Sequence, residues 1–140
     1  IAALSAAGLA TDRFVFEGFL PVKTKQRQER IQELYAETRT VIFYESPHRI
    51  LDLLEHLLTI LGGERRAVVA RELTKLFETI YAGSLFEINT WIKSDTDQQR
   101  GEFVVLLEGV KLKQAVDLAT ELLGGKKNQL YERALKLKKC

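Results

Sequence analysis

Glu45-Ser46-Pro47-His48-Arg49 places a carboxylate, a hydroxyl, an imidazole and a guanidinium in consecutive reach. The stretch follows the apolar β-type run Thr40-Val41-Ile42-Phe43 and precedes a leucine-rich helical pattern. Ser46 suits a helix N-cap and Pro47 the first helical position, which would put His48 and Arg49 in the first turn. Free backbone N–H groups and the positive end of the helix dipole meet there, at the carboxyl end of a strand, where ligands of α/β sheets bind. A cation gains nothing from that end of a helix, so Arg49 should have a partner, either a phosphate or Glu72.

Two further polar groups follow predicted strands. One is Gly18-Phe19-Leu20-Pro21-Val22-Lys23 with Arg27 a turn later; the other is Arg71-Glu72-Leu73-Thr74-Lys75 with Glu78 beyond. If the three strands are parallel neighbours, Lys23, Arg27, His48, Arg49, Arg71 and Lys75 line one cleft suited to a phosphate-bearing ligand. Taken singly, each cation also reads as a surface ion pair, and that reading is favoured for Arg27. Glu72 reads as a partner for a neighbouring arginine more than as a base. The chain has no Walker loop, no G-x-G-x-x-G, no G-x-S-x-G and no metal-ligand spacing. The residues alone therefore reach an α/β half-site for an anionic ligand and name no reaction.

The elements that must position these groups are legible from periodicity. Phe14 to Gly18, Thr40 to Tyr44, Ala67 to Ala70, Phe77 to Tyr81 and Phe103 to Leu107 read as strands. Thr24 to Glu37 reads as a charged helix with a thin stripe of Ile31, Leu34 and Tyr35. Pro47 to Leu61 reads as a leucine-faced helix closed by Gly62-Gly63, and Ser84 caps a helix carrying Leu85, Ile88, Trp91 and Ile92. One strand pair lacks a helical crossover, so the expected fold is an α/β layer with a mixed sheet over residues 1–110. Residues 111–140 change character. Leu112 to Leu123 and Asn128 to Lys138 form two helices around the basic turn Gly124-Gly125-Lys126-Lys127.

Composition bounds the function classes. Residues 1–110 carry 13 Lys/Arg against 16 Asp/Glu, and residues 111–140 carry 8 against 3. A basic tail on a slightly acidic body suits an anionic partner or a solvated helix. The start at Ile1 and the absence of Met suggest a piece of a longer protein. Ile1 to Ala10 lacks the basic n-region of a signal peptide and reads as a helix entering the domain. No apolar run approaches membrane-spanning length. Cys140 is the only cysteine, which fits a reducing cytoplasm, and two histidines, His48 and His56, argue against a zinc cluster.

In combination the motifs are more specific. Phe16-Glu17-Gly18-Phe19-Leu20-Pro21, Phe43-Tyr44-Glu45-Ser46-Pro47-His48-Arg49, Ala70-Arg71-Glu72-Leu73-Thr74-Lys75 and Gly101-Glu102 occur in this order and spacing. Together they resemble the bacterial 16S ribosomal RNA ribose methyltransferase I family, a branch of the tetrapyrrole-methylase superfamily. The tail resembles that family's small helical module. The resemblance implies the second, mixed-sheet domain of a tetrapyrrole-methylase fold, 2′-O-methylation of a cytidine ribose in the decoding region, and a cytoplasmic homodimer. It implies S-adenosylmethionine as donor, held between two α/β domains, and no metal. Tyr44, Glu45, Val69, Ala70, Arg71, Gly101 and Glu102 would meet the donor's adenosine, mostly through backbone groups. Lys23, Arg27, His48, Arg49 and Lys75 would face RNA, as would Lys126, Lys127 and Arg133 of the tail. Glu45 and His48 are candidate bases, and Lys23 or Lys75 could lower the pKa of the ribose hydroxyl. The chain lacks the family's first domain with its donor loops, so alone it should be inactive. Val110-Lys111-Leu112 runs straight from strand to helix where the family has a longer linker. A tetrapyrrole methylase of the same superfamily and a non-enzymatic nucleic-acid-binding module are the alternatives.

Overall fold

Strand alternation divides the apolar residues of this chain between two faces of one sheet. The computed structural model describes residues 1–138, and Cys140 lies outside them. The elements are α1 (Ala2–Ala6), β1 (Phe14–Phe19), α2 (Thr24–Glu33), β2 (Thr40–Glu45), α3 (Ile50–Leu61) and β3 (Arg66–Arg71). They continue as β4 (Thr79–Ser84), α4 (Leu85–Ser94), β5 (Phe103–Leu107), α5 (Leu112–Leu123) and α6 (Lys127–Lys138). The sheet order is β1-β2-β5-β3-β4. β1 and β2 pair in parallel, and every other pair is antiparallel. The mixed α/β sheet expected from the sequence is present.

One face carries Val41, Phe43, Val69, Phe103, Val105 and Leu107, packed with Ile31, the inner side of α3 and Ile88. Ile50, Leu53, Leu54 and Leu57 of α3 are fully buried. Each such side chain contributes about 1.5–3 kcal/mol by leaving water, so this face anchors the domain. The opposite face carries Ile42, Val68, Ala70 and Leu106 beneath Ala3, Leu4, Ala7 and Leu9. One short helix cannot cover that face, and Phe14, Phe16, Tyr44 and Ile80 remain exposed.

Several boundaries differ from the sequence reading. α3 begins at Ile50, and Ser46 does not cap it. The Ser46 amide donates to the Glu45 carboxylate at 2.8 Å, and the Arg49 amide closes a turn on the Ser46 carbonyl at 3.1 Å. The carboxylate thus captures the chain in a separate turn before the helix starts. β4 begins two residues later than expected. The Arg71 guanidinium holds the Phe77 carbonyl, and the Thr74 amide bonds to Glu78, so 72–78 stays a turn. Ser84 does cap α4. The Glu87 amide donates to Ser84 Oγ at 3.1 Å while the Ser84 amide donates to Glu87 Oε2 at 2.7 Å.

The exit from β5 is pinned to the body. A Cβ on Gly109 would lie 2.0 Å from the Thr38 carbonyl, so only glycine fits there. The Val110 amide donates to the Glu37 carbonyl at 2.8 Å. Arg65 donates to the carbonyls of Glu108 and Tyr35 at 2.7 and 3.2 Å. α5 and α6 follow with Val116 buried and a Lys127–Asp117 ion pair at 2.5 Å. No helix among the described residues is long and apolar enough to cross a membrane.

Candidate functional site

Sheet register builds one edge from segments far apart in sequence. Tyr44 pairs with Val104, which pairs with Ala70; Glu45 pairs with Phe103, which pairs with Arg71. β2 and β3 run the same way because both are antiparallel to β5. Their carboxyl ends therefore share an edge with that of β1, as a common cleft requires. They are not neighbours, however, because β5 lies between them. Its amino end brings Gly101 and Glu102 to the same edge. Tyr44, Glu45, Val69, Ala70 and Arg71 on β2 and β3, and Gly101 and Glu102 just before β5, thus share one edge.

The charged side chains at this edge mostly serve one another. The Glu45 side chain is completely buried. It accepts from Arg49 Nε at 2.9 Å and Nη2 at 3.2 Å, and Arg49 Nη2 also reaches the Leu20 carbonyl at 3.2 Å. The partner of Arg49 is Glu45, not Glu72. A carboxylate enclosed in this way has its oxygens occupied by Arg49 and the Ser46 amide. Arg71 is 8% exposed and donates to Gln98 Oε1, the Arg100 and Phe77 carbonyls and Thr79 Oγ1, all at 3.1–3.3 Å. It braces two loops. Arg27 is 3% exposed, with Nε and Nη1 lacking a partner. It lies one turn before Ile31 on the packed side of α2, away from the exposed surface of the edge.

Lys75 bridges Glu72 at 3.3 Å and Glu102 at 3.0 Å. Those two carboxylates raise its pKa, Glu102 more than Glu72. Lys23 and His48 are exposed.

An aromatic cleft was not anticipated. Phe16 and Phe19 contact Tyr44 edge-on, with ring centroids 5.0 and 5.8 Å apart. A cavity of about 340 Å³ lies between α1 and the sheet, lined by Phe14, Phe16, Ile42, Tyr44, Leu73 and Val104. Alternation of Phe14 with Phe16 and of Ile42 with Tyr44 is the sequence signal that marks this face. In the tail, a second concavity of about 520 Å³ is lined by Lys126, Gln129, Arg133 and Lys136 with Glu132. Lys127 instead pairs with Asp117.

Comparison with known proteins places this geometry. The family model of tetrapyrrole (corrin/porphyrin) methylases matches residues 1–89, and the RsmI C-terminal HTH domain matches residues 103–138. The ribosomal RNA small subunit methyltransferase I of Pseudomonas aeruginosa is 48% identical over 96% of this chain and 56% of its own length. That of Escherichia coli O157:H7 is 45% identical over 96% of this chain and 55% of its own length. The chain thus spans about half the length of these curated relatives. Both alignments run over more positions, 159 and 157, than the 140 residues of the chain, so these relatives carry extra residues inside the matched span. Among solved structures, the methyltransferase CobJ superposes with a TM-score of 0.54 at 22% identity, covering 78% of this chain and 46% of that one. The cobalt precorrin-4 methyltransferase CbiF superposes with a TM-score of 0.55 at 16% identity, covering 76% and 47%. At those identities the likeness is one of fold. With the sheet, its edge and the two family matches taken together, the chain belongs to the tetrapyrrole methylases, in the branch of the ribosomal RNA small subunit methyltransferase I proteins.

Proposed function

We propose that this chain supplies the second α/β half and the RNA-gripping tail of an S-adenosylmethionine-dependent enzyme. Its substrate is the 2′-hydroxyl of a cytidine ribose in the decoding region of 16S ribosomal RNA. The observation that carries the reading is the sheet register, which gathers Tyr44, Glu45, Ala70, Arg71 and the Gly101-Glu102 turn on one edge. Beside them lies an apolar cleft of about 340 Å³. An adenine ring needs an apolar wall with backbone polar groups at its rim, and this edge offers both. The residues present therefore fit the donor's nucleoside end.

When bound, the donor supplies an electrophilic methyl carbon on a sulfonium. The chain's own part is to hold the reactants in line and to manage one proton. Positioning accounts for much of such a rate, because transfer requires a narrow approach of the ribose oxygen. His48, exposed at the rim, is the remaining proton acceptor once Glu45 is enclosed by Arg49. Lys75, kept cationic by Glu72 and Glu102, and the exposed Lys23 favour the ionised hydroxyl. The tail, residues 111–140, grips RNA phosphates through Lys126 and Arg133, and the enzyme works as a cytoplasmic homodimer.

The test is methyl transfer from labelled donor by a protein of the relatives' length carrying this chain. Label should enter small-subunit particles at a cytidine ribose and leave a free tetrapyrrole untouched. This chain alone should transfer nothing. Label in the tetrapyrrole and none in the ribosomal RNA would reject the reading.

A further inference from the structure

Glu72 and Thr74 have backbone φ of 51° and 63°. Residues other than glycine adopt that conformation at a cost, and persist in it only where the surroundings hold them. Glu72 is held chiefly by the backbone of one residue on another loop, Glu102. The Glu72 amide donates to the Glu102 carbonyl at 2.9 Å, and Glu72 Oε1 accepts the Glu102 amide at 2.7 Å. Both backbone polar groups of Glu102 are thus taken by one residue. The Lys75 amide returns to the Glu72 carbonyl at 3.0 Å, and Lys75 Nζ ties Glu72 to Glu102 from outside. Gly101 has φ 93°, and a Cβ there would lie 2.3 Å from Glu72 Oε1. The clasp therefore demands glycine at 101.

Among the described residues, no arginine hydrogen bond to this carboxylate competes with Glu102. Arg49 is held by Glu45, and the Arg71 side chain by its four acceptors. The Glu102 amide holds the Glu72 carboxyl below the usual carboxylate range, with burial opposing. Regular pairing of β3 with β5 ends at Arg71 and Phe103. Beyond it the two loops would fray, were they not joined.

We propose that Glu72 is a positioning residue of the donor site: by holding Glu102 it fixes the adjoining Gly101 backbone that meets the adenosine. The proposal rests on the donor-site reading given above. A nucleoside gripped by backbone groups binds more tightly when those groups are fixed beforehand, because ordering them on binding would cost affinity. In this role Glu72 acts through the Glu102 backbone.

The experiment compares wild type, Glu72→Ala, Glu72→Asp and Glu72→Gln in a protein of the relatives' length. Amide exchange at Glu102 is measured without donor, S-adenosylmethionine affinity by calorimetry, and kcat and both KM values by methyl transfer. In Glu72→Ala the Glu102 amide should exchange faster. The donor Kd and KM should rise about tenfold, the effect of losing one hydrogen bond to a charged group. The kcat and the RNA KM should stay within about twofold. Glu72→Gln keeps the accepting oxygen and should restore most of the affinity. Glu72→Asp keeps the charge but withdraws that oxygen by one methylene, and should behave like Glu72→Ala even if the latter folds poorly. Faster exchange with an unchanged donor Kd would overturn the proposal. So would donor and RNA affinity falling together with Tm, which marks a merely structural residue. A wild type that binds no S-adenosylmethionine would be a different failure, that of the donor-site reading itself.

Discussion

The strand-tip edge and the helical tail are both rich in cations, and they use them in opposite ways. At the edge, Arg27 is buried, Arg49 closes on Glu45, Arg71 braces two loops and Lys75 bridges two carboxylates. In the tail, Lys127 meets Asp117, while Lys126 and Arg133 border an open concavity. The contrast teaches that a cluster of basic residues at a sheet edge is not by itself an anion site. Guanidinium groups there have carbonyls and carboxylates within reach, and a buried donor left unmade is costly. On the tail's surface hairpin, Lys126 and Arg133 are exposed.

The contrast breaks most visibly at Arg49. Arg49→Ala would leave the enclosed Glu45 carboxylate with the Ser46 amide as its remaining partner. Removing one member of such a pair should lower stability by about 3 kcal/mol. Denaturant unfolding measures it. A change below about 0.5 kcal/mol, joined to a tenfold loss of methylation, would mean that Arg49 works outward on RNA.

The tail should answer in the reverse sense. Replacing Lys126 and Arg133 by Glu should leave stability within about 0.5 kcal/mol, as for most surface changes. RNA binding should weaken, and its salt dependence should flatten by about one unit of slope per lost phosphate contact. Donor binding should not move. Titration of RNA affinity against salt decides, and an unaltered slope would make the tail a solvated hairpin.

The smallest effect lies where body and tail join. Arg39 hydrogen-bonds the Glu37 carboxylate and lowers its pKa to about 2. A depressed folded pKa adds stability above the ordinary carboxylate range, and that stability is lost as pH falls toward 2. Glu37→Gln should flatten that acid-side slope slightly, since the Arg39 side chain is half exposed and well screened. Carboxyl-carbon titration by NMR reads the pKa directly, and a value in the ordinary range would remove the effect.

Local chemistry was legible in this sequence wherever the interacting groups lie within a turn or two. The Ser84 cap, the α5–α6 hairpin around Gly124-Gly125 and the strand runs all follow from short-range pattern and propensity. The start of α3 was misread although it too is local, because Glu45 offers the Ser46 amide an alternative to capping. What pattern could not supply was adjacency. That β5 inserts between β2 and β3 is a matter of which apolar faces bury one another, and it alone brings Glu45, Arg71 and Glu102 to one edge. The same is true of burial. An arginine on α2 and one at the end of β3 look alike in sequence, and only the layers packed over them decide that both face inward. The sequence by itself determined the elements, their order and the family motifs. Tertiary structure decided which charges are internal braces and which are left on the surface, because a charge's role depends on acceptors that chain folding brings from tens of residues away.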